Sequence, residues 1–512
     1  MIEFLKTVLK VLPQWVWLVP LLSLLAAGVT GLRLLRGRPM GDADEPLTAR
    51  LASLSAGLAL CLLLAIDLSV VWHGLPGHRI AGVWFSGGHW TANISFLLDE
   101  ISLPIATLVA LIGWLVMRFS ANYLHREAGF HRFFMVMGLF LTGIQLVLLA
   151  GNGLLAFVGW EMCGVASFLL IGYAWQRPVA SGNGLFAFVT NRAGDSGFLL
   201  ALGFAAAWLG SFEWTDINAA SGLSLLLVRL LLIGFVLAAL AKSAQFPFTP
   251  WIARALEGPT PSSAIFYGAV LVHAGIYLLL RLSPLLQQVP DMMLALVFVG
   301  VVTALYCWLC GLVQTDVKSA LVFATVFQVA LMLIAIGLGW TTWALIHLCL
   351  HAAWRTWQFL MAPSWLVITR GRPAPPPRWL QKQQWLYTAA LQRFWLDKLG
   401  DALLVRPTQS FAQDVRGLEE NFIDRLLGQP GKGKPLQPEQ SLIVGDGAPG
   451  LVLARTAETL QQLENRLSLR GRGGLAEQFL QRAGLYLRIL ENLLEQPRYL
   501  MMAVMATFVV IL

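Results

Sequence analysis

Charge is what this sequence has least of. Of its 512 residues only 12% are Asp, Glu, Lys or Arg, while 57% are hydrophobic. A water-soluble globular domain carries about twice that share of charged residues, so the composition points away from one and towards a chain that crosses a membrane several times. Cysteine is equally scarce: the 5 cysteines are scattered, all in apolar segments. Cys307 and Cys310 form a CxxC inside a hydrophobic run with no second pair, and read as packing rather than as a metal or redox site. No glycine-rich nucleotide loop is evident, and no cluster of residues suggests a redox centre or a catalytic site. The expectation is therefore that the chain holds no cofactor or metal of its own, and that any chemistry resides in partners. Nor is a cleavable leader evident, since the first apolar run, beginning near Trp15, is long enough to stay as a spanning helix. The net charge of +8 reads as membrane topology, not as affinity for nucleic acid.

What is present is a succession of apolar runs. About eleven segments of roughly 20 residues can be drawn: 15–35, 50–72, 99–118, 132–150, 154–174, 184–209, 225–246, 260–282, 291–313, 318–338 and 342–368. The expected fold class is an all-α polytopic membrane protein, a bundle of transmembrane helices with a broken helix, followed by amphipathic helices. Arg33, Arg36, Arg38 and Arg50 follow the first segment, Arg126 and Arg132 the third, Arg177 the fifth, Arg254 the seventh and Lys318 the ninth. Loops after even-numbered segments hold little beyond Arg79 and Arg281. Positive charge gathers on the cytoplasmic side, so the N-terminus is expected outside and the long C-terminal region in the cytoplasm, in the inner membrane of a bacterium.

Composition changes at Arg370, where a Pro/Arg linker (370–378) ends the apolar succession. The sequence thus divides into N-terminal helices (1–89), a core (90–370), a cytoplasmic or interfacial helical region (371–498) and an apolar tail (499–512). Residues 380–428 and 452–496 show helical spacing of apolar residues among charges, with Leu403, Phe411, Leu418, Phe422 and Leu426 on the first stretch. Either a helix lying on the membrane or a plain cytoplasmic hairpin fits them. The 14 residues from 499 are short for a span and suggest partial or tilted insertion.

The candidate functional residues are the charges inside the apolar core. Lys242 ends the run from Leu225, and Pro247 and Pro250 then break the helix, because proline removes a donor and clashes with the preceding turn. A broken helix at membrane depth is tolerated where it is buried or lines a wet cavity. Lys242 therefore either lines a hydrated ion path or snorkels past a helix end to the interface. Glu161 and Asp195 lie inside neighbouring apolar segments, and a buried carboxylate requires a partner or a proton. Lys242 is the obvious cation, and Arg192 is a second one for Asp195. The alternative to a titrating group is a static ion pair that fixes helix packing. His273 lies one helix further on. His347, His351 and Arg355 recur at four-residue spacing and share a face. Such a row suits a proton relay ending in a fixed charge, although a single histidine there could simply pack. Asp316 is expected to cap a helix start.

These motifs resemble the antiporter-like subunits shared by respiratory complex I (subunit L), Mrp-type antiporters, membrane-bound hydrogenases and DAB-type inorganic carbon uptake systems. The matching pieces are Trp160-Glu161, Ser167 to Gly172, Asn191 to Asp195, Lys242 to Gln245 with Pro250-Trp251, Gly258 to Ala264, Thr315 to Lys318, and His347 to His351. They cover roughly 90–370. The resemblance implies a proton path in which Glu161 and Lys242 form a switching pair, Asp195 tunes the lysine, and His347 and His351 continue the relay. Departures are visible: Tyr267 stands where the family usually has a histidine, and Arg355 where it commonly has a lysine. Arginine does not give up its proton in proteins. From Trp365 the chain passes almost directly to a linker, whereas the family has further helices. Yet Trp395 to Asp401, with Val405 to Pro407, resembles the start of the subunit L C-terminal region.

Among the branches, the shortened bundle favours a DAB-type carbon uptake role, with a carbonic-anhydrase-like zinc protein as cytoplasmic partner. The alternative is a subunit L-like pump module working with respiratory or hydrogenase subunits, and a further one is a non-conducting anchor. The ion moved is a proton, with sodium as the other option.

Overall fold

Apolar chain in a bilayer must satisfy its own backbone, which leaves helices as the outcome for long hydrophobic runs. The computed structural model describes residues 9–36, 40–88, 90–269, 271–368 and 375–418. Residues Met1–Gln409 form one compact unit and Ser410–Leu512 a second. The first opens with α1 (Leu18–Leu35) and α2 (Glu45–His73), continues through a β-hairpin, and resumes with α3 (Ser102–Tyr123), α4 (Phe130–Leu149), α5 (Gly153–Ile171), α6 (Pro178–Leu209) and α7 (Leu225–Lys242). After a broken stretch come α8 (Ala274–Arg281), α9 (Pro290–Gly311), α10 (Val317–Gly337) and α11 (Thr341–Ile368). Among the described residues, 8 helices are long and apolar enough to cross a membrane. The protein is thus a mostly helical, multi-pass membrane protein. Helices α6 and α11 match spanning lengths but carry the polar side chains of the candidate site.

Helix starts follow local chemistry. Asn152 caps α5, its Oδ1 accepting the Leu155 N–H at 2.8 Å. Asp316 caps α10 as its sequence position suggests, accepting from the Ser319 N–H at 2.9 Å. Pro178 and Pro290 sit in first turns, where no amide donor is required. The core is aromatic. Trp160 packs edge-on against Phe198 with ring centroids 5.3 Å apart, and Phe198 meets Phe235 at 5.2 Å. Those contacts lock α5, α6 and α7 together.

The structure departs from the all-helical expectation between α2 and α3. There β1 (Gly77–Gly87) pairs antiparallel with β2 (Trp90–Leu98). The pattern of Ile80, Val83, Phe85, Trp90, Ile94 and Phe96 around a Gly-Gly turn is a strand signal that a search for apolar spans passes over. The hairpin sits at the end of the bundle where α2 and α6 finish and α3 and α5 begin; this is called the hairpin end below.

The expected spans 225–246 and 260–282 are also revised. Helix α7 stops at Lys242, with Ala244 in a left-handed conformation (φ 51°). The helix resumes at Pro250–Arg254, and the next span is a turn at Thr260–Ser263, a π-helix at Ala264–Ala269, and only then α8. The proposed helix at 380–428 is broken into short pieces, Arg378–Lys382, Gln384–Leu391, Leu396–Gly400 and Arg406–Leu418. Arg393, Phe394 and Trp395 all have positive φ and turn the chain between them. Residues 419–428, 452–496 and 499–512 lie outside the described residues.

Candidate functional site

Helices α5, α6 and α7 bring four charged side chains together. Glu161 on α5 forms an ion pair with Arg192 on α6. Arg192 Nη2 also lies 2.6 Å from Asp195 Oδ2, one turn along the same helix. Lys242 Nζ, at the end of α7, lies 3.8 Å from Asp195 Oδ1. Trp160 Nε1–H donates to Asp195 Oδ1 at 2.5 Å, and Lys242 Nζ sits 4.9 Å from the Trp160 ring centroid. Lys242 is only 1% exposed and Glu161 and Asp195 are buried, so the snorkelling reading of the lysine does not hold. Gly164 makes the arrangement possible: a Cβ there would lie 2.6 Å from Arg192 Nη2 and 3.7 Å from Lys242 Nζ.

This pairing differs from the expected one. The carboxylate nearest Lys242 is Asp195, and Glu161 is held by Arg192. The reason is geometric: Arg192 and Asp195 stand three residues apart on α6, so the guanidinium bridges its own helix and α5 at once. The motif Asn191 to Asp195 contained that signal, since its arginine accompanies the aspartate at helical spacing.

Past Lys242 the polypeptide is non-helical to Thr249 but remains buried, apart from Phe246 to Phe248. Ser243 Oγ, Gln245 Oε1, Ser263 Oγ and His273 Nδ1 are buried atoms without a hydrogen-bond partner from the protein. They run from the residue after Lys242 across the break to His273, which caps α8. Buried polar groups of this kind are normally satisfied by ordered water.

A second cluster lies at the start of α8 and on α10 and α11. His273 Nε2 is 2.9 Å from His351 Nδ1. Arg355 Nε–H donates to His351 Nε2 at 3.4 Å, so His351 carries its proton on Nδ1 and donates it to His273 Nε2. That leaves the His273 proton on Nδ1, the buried atom facing no protein acceptor. His347 does not join the pair directly: its Nε2 donates to Gln328 Oε1 at 2.9 Å, and its ring centroid is 6.2 Å from that of His351. Sequence reasoning missed Gln328, which is uncharged and lies in an apolar run. Tyr267, at the family's usual histidine position, is fully buried, donates to the Ile252 carbonyl at 2.7 Å and stacks on Phe359. Cys307 and Cys310 are buried and unpaired in α9, Pro247 lies in the broken stretch after α7, and the helix resumes at Pro250.

Comparison with known proteins places these features. A family model described as "NADH:quinone oxidoreductase/Mrp antiporter, TM" matches residues 150–371, and one described as "NADH-Ubiquinone oxidoreductase (complex I), chain 5 N-terminus" matches residues 84–134. Over these two stretches the chain matches the antiporter-like membrane-subunit family of complex I and Mrp antiporters. It is 33% identical over 367 residues to NAD(P)H-quinone oxidoreductase subunit 5 of the Nephroselmis olivacea chloroplast, covering 70% of this chain and 56% of that protein. To NAD(P)H-quinone oxidoreductase chain 5 of Picosynechococcus it is 31% identical over 365 residues, covering 69% of this chain and 54% of that one. The chain thus spans little more than half the length of the curated relatives it matches. A chain of the Mrp complex from Dietzia sp. DQ12-45-1b shares the fold, with a TM-score of 0.61 at 19% identity, over 97% of this chain and 62% of that one.

Proposed function

We propose that this chain is a proton-conducting membrane subunit of a larger complex, in which Glu161, Asp195, Lys242, His273, His347 and His351 carry or tune the path and Arg355 biases it. The observation that carries the reading is the buried quartet Glu161–Arg192–Asp195–Lys242. Two carboxylates face two cations, so the fully charged set is neutral. Arg192 stays protonated and already pairs both carboxylates. Lys242 can therefore lose its proton without leaving Asp195 unpaired, and the quartet then carries a net negative charge that draws a proton back. A static pair of one acid and one base lacks this property, because neutralising either partner strands the other. The non-helical stretch that follows Lys242, with the buried unpartnered Ser243 Oγ and Gln245 Oε1 and with Ser263 Oγ beyond it, supplies water positions between Lys242 and His273. From there the oriented His273–His351 pair continues the route towards His347.

The relatives favour the quinone oxidoreductase alternative over carbon uptake, so we assign the chain to a subunit L-like module that exchanges proton-motive force with redox subunits. On this reading it sits in a bacterial inner membrane with the N-terminus and the hairpin end outside. It holds no cofactor of its own. Purification from native membranes in mild detergent tests the assignment. Copurifying flavin or iron–sulfur subunits, with proton uptake that stops in Lys242→Ala, are expected. A copurifying zinc protein without redox cofactors would move the chain to the carbon-uptake branch. Transport indifferent to Lys242→Ala would make it an anchor, with sodium dependence checked in the same vesicles.

A further inference from the structure

A second polar row starts at His273, the residue that caps α8, and continues along that helix through two residues that the proposed path does not use. His273, Tyr277 and Arg281 are four residues apart and share one face, so the row climbs about 12 Å at 1.5 Å per residue from the histidine pair to the hairpin end. All three are buried. Tyr277 Oη–H donates to the Leu148 carbonyl at 2.5 Å and accepts from Arg281 Nη2 at 3.0 Å. Arg281 also reaches both oxygens of Asp99, 3.1 Å from Nη2 to Oδ1, with Nη1 on Oδ2. Asp99 is held in turn by the start of α3, accepting the amides of Ile101 at 3.1 Å and Ser102 at 2.9 Å. The pair is oriented. The Arg281 side chain is 4% exposed and that of Asp99 24%, so the cation is the buried partner and the anion the partly exposed one, held by backbone amides.

We propose that Arg281 is a positioning residue that seals the histidine route at the hairpin end against passive proton leak. A guanidinium fixed across a narrow buried row repels an excess proton, as arginines do in water-selective pores, and it cannot itself relay one. Tyr277 fills the remaining space, with its hydroxyl proton committed to a carbonyl. Asp99 holds the guanidinium in place and need not act on the proton at all. The inference rests on the proposed path through His273.

The two partners therefore have unequal roles, which a plain structural tie between α8 and α3 would not give them. The full-length chain and its variants would be reconstituted in liposomes with a trapped pH-sensitive dye, under a potassium–valinomycin potential, after size-exclusion and thermal checks of folding. Arg281→Gln is expected to raise passive proton influx roughly tenfold, the effect of removing a barrier of about 1.4 kcal/mol. Arg281→Lys and Asp99→Asn, which keep a cation in place, are expected to stay tight. Adding His273→Ala to Arg281→Gln should return the leak to the wild-type level. Equal leak in Asp99→Asn and Arg281→Gln, no leak in Arg281→Gln, or a leak that survives His273→Ala would each overturn the seal. If Arg281→Gln does not fold, Tyr277→Ala opens the same row and is expected to leak through His273, while a tight Tyr277→Ala counts against the proposal. Loss of the path reading itself would show separately, as complex-driven transport that ignores Lys242→Ala.

Discussion

At the scale of single residues, the buried charges of the quartet share partners, and the sharing follows from spacing. Arg192 reaches two carboxylates because one is three residues away on its own helix. Lys242 shares Asp195 with that arginine, so a neutral Lys242 still leaves Asp195 paired. Outside the membrane-spanning segments, Asp99 is the group whose titration can be followed. Burial raises its carboxyl pKa, but the hydrogen bonds and charge of Arg281 and the Ser102 contacts outweigh this and hold it below its ordinary value of 3.8. A depressed folded-state pKa contributes stability that is present above the unfolded value and lost as pH falls through the folded one. The thermal midpoint of the purified protein is therefore expected to show no loss attributable to Asp99 down to about pH 4. Below that, wild type should lose stability more steeply than Asp99→Asn; parallel curves would show that the link contributes no such term.

At the scale of elements, the break between α7 and α8 organises the site, and close packing maintains it. A Cβ on Gly275 would lie 2.2 Å from the Ala239 carbonyl and 2.4 Å from Ser243 Oγ, so α8 meets the end of α7 at backbone contact. Gly275→Ala must push the helices apart, with an expected cost of about 1–3 kcal/mol, read as a lower thermal midpoint and a fall in driven proton transfer. A variant as stable and active as wild type would show that the two helices need not touch. The long helices and the proline break were legible in the sequence, because hydropathy and proline act locally. The Glu161–Arg192 pairing and the place of Gln328 were not, because they depend on which faces of neighbouring helices meet. The hairpin was missed for a different reason: its alternation is a weaker signal than the apolar runs on either side.

For the whole molecule, the family matches at residues 84–134 and 150–371 span both charged clusters and the hairpin end, so the part shared with relatives contains the complete proposed route. Most of their helical framework was legible in the sequence, since bilayer physics leaves few alternatives to it, and the spans on either side of the break were the exception. The branch of the family was the less legible matter. Nothing inside the bundle records which partner it serves, and the relatives, not the residues, favour redox subunits over a carbon-uptake enzyme. The central claim is that Lys242 titrates rather than merely balancing charge. The most direct test compares Lys242→Arg with wild type and Lys242→Ala for driven proton transfer by the intact complex in vesicles. Arginine keeps the positive charge beside Asp195 but does not release a proton. The account predicts an assembled complex whose transfer falls to the level of Lys242→Ala. Transfer retained in Lys242→Arg would contradict it, and would leave Lys242 as a fixed charge in a static buried network.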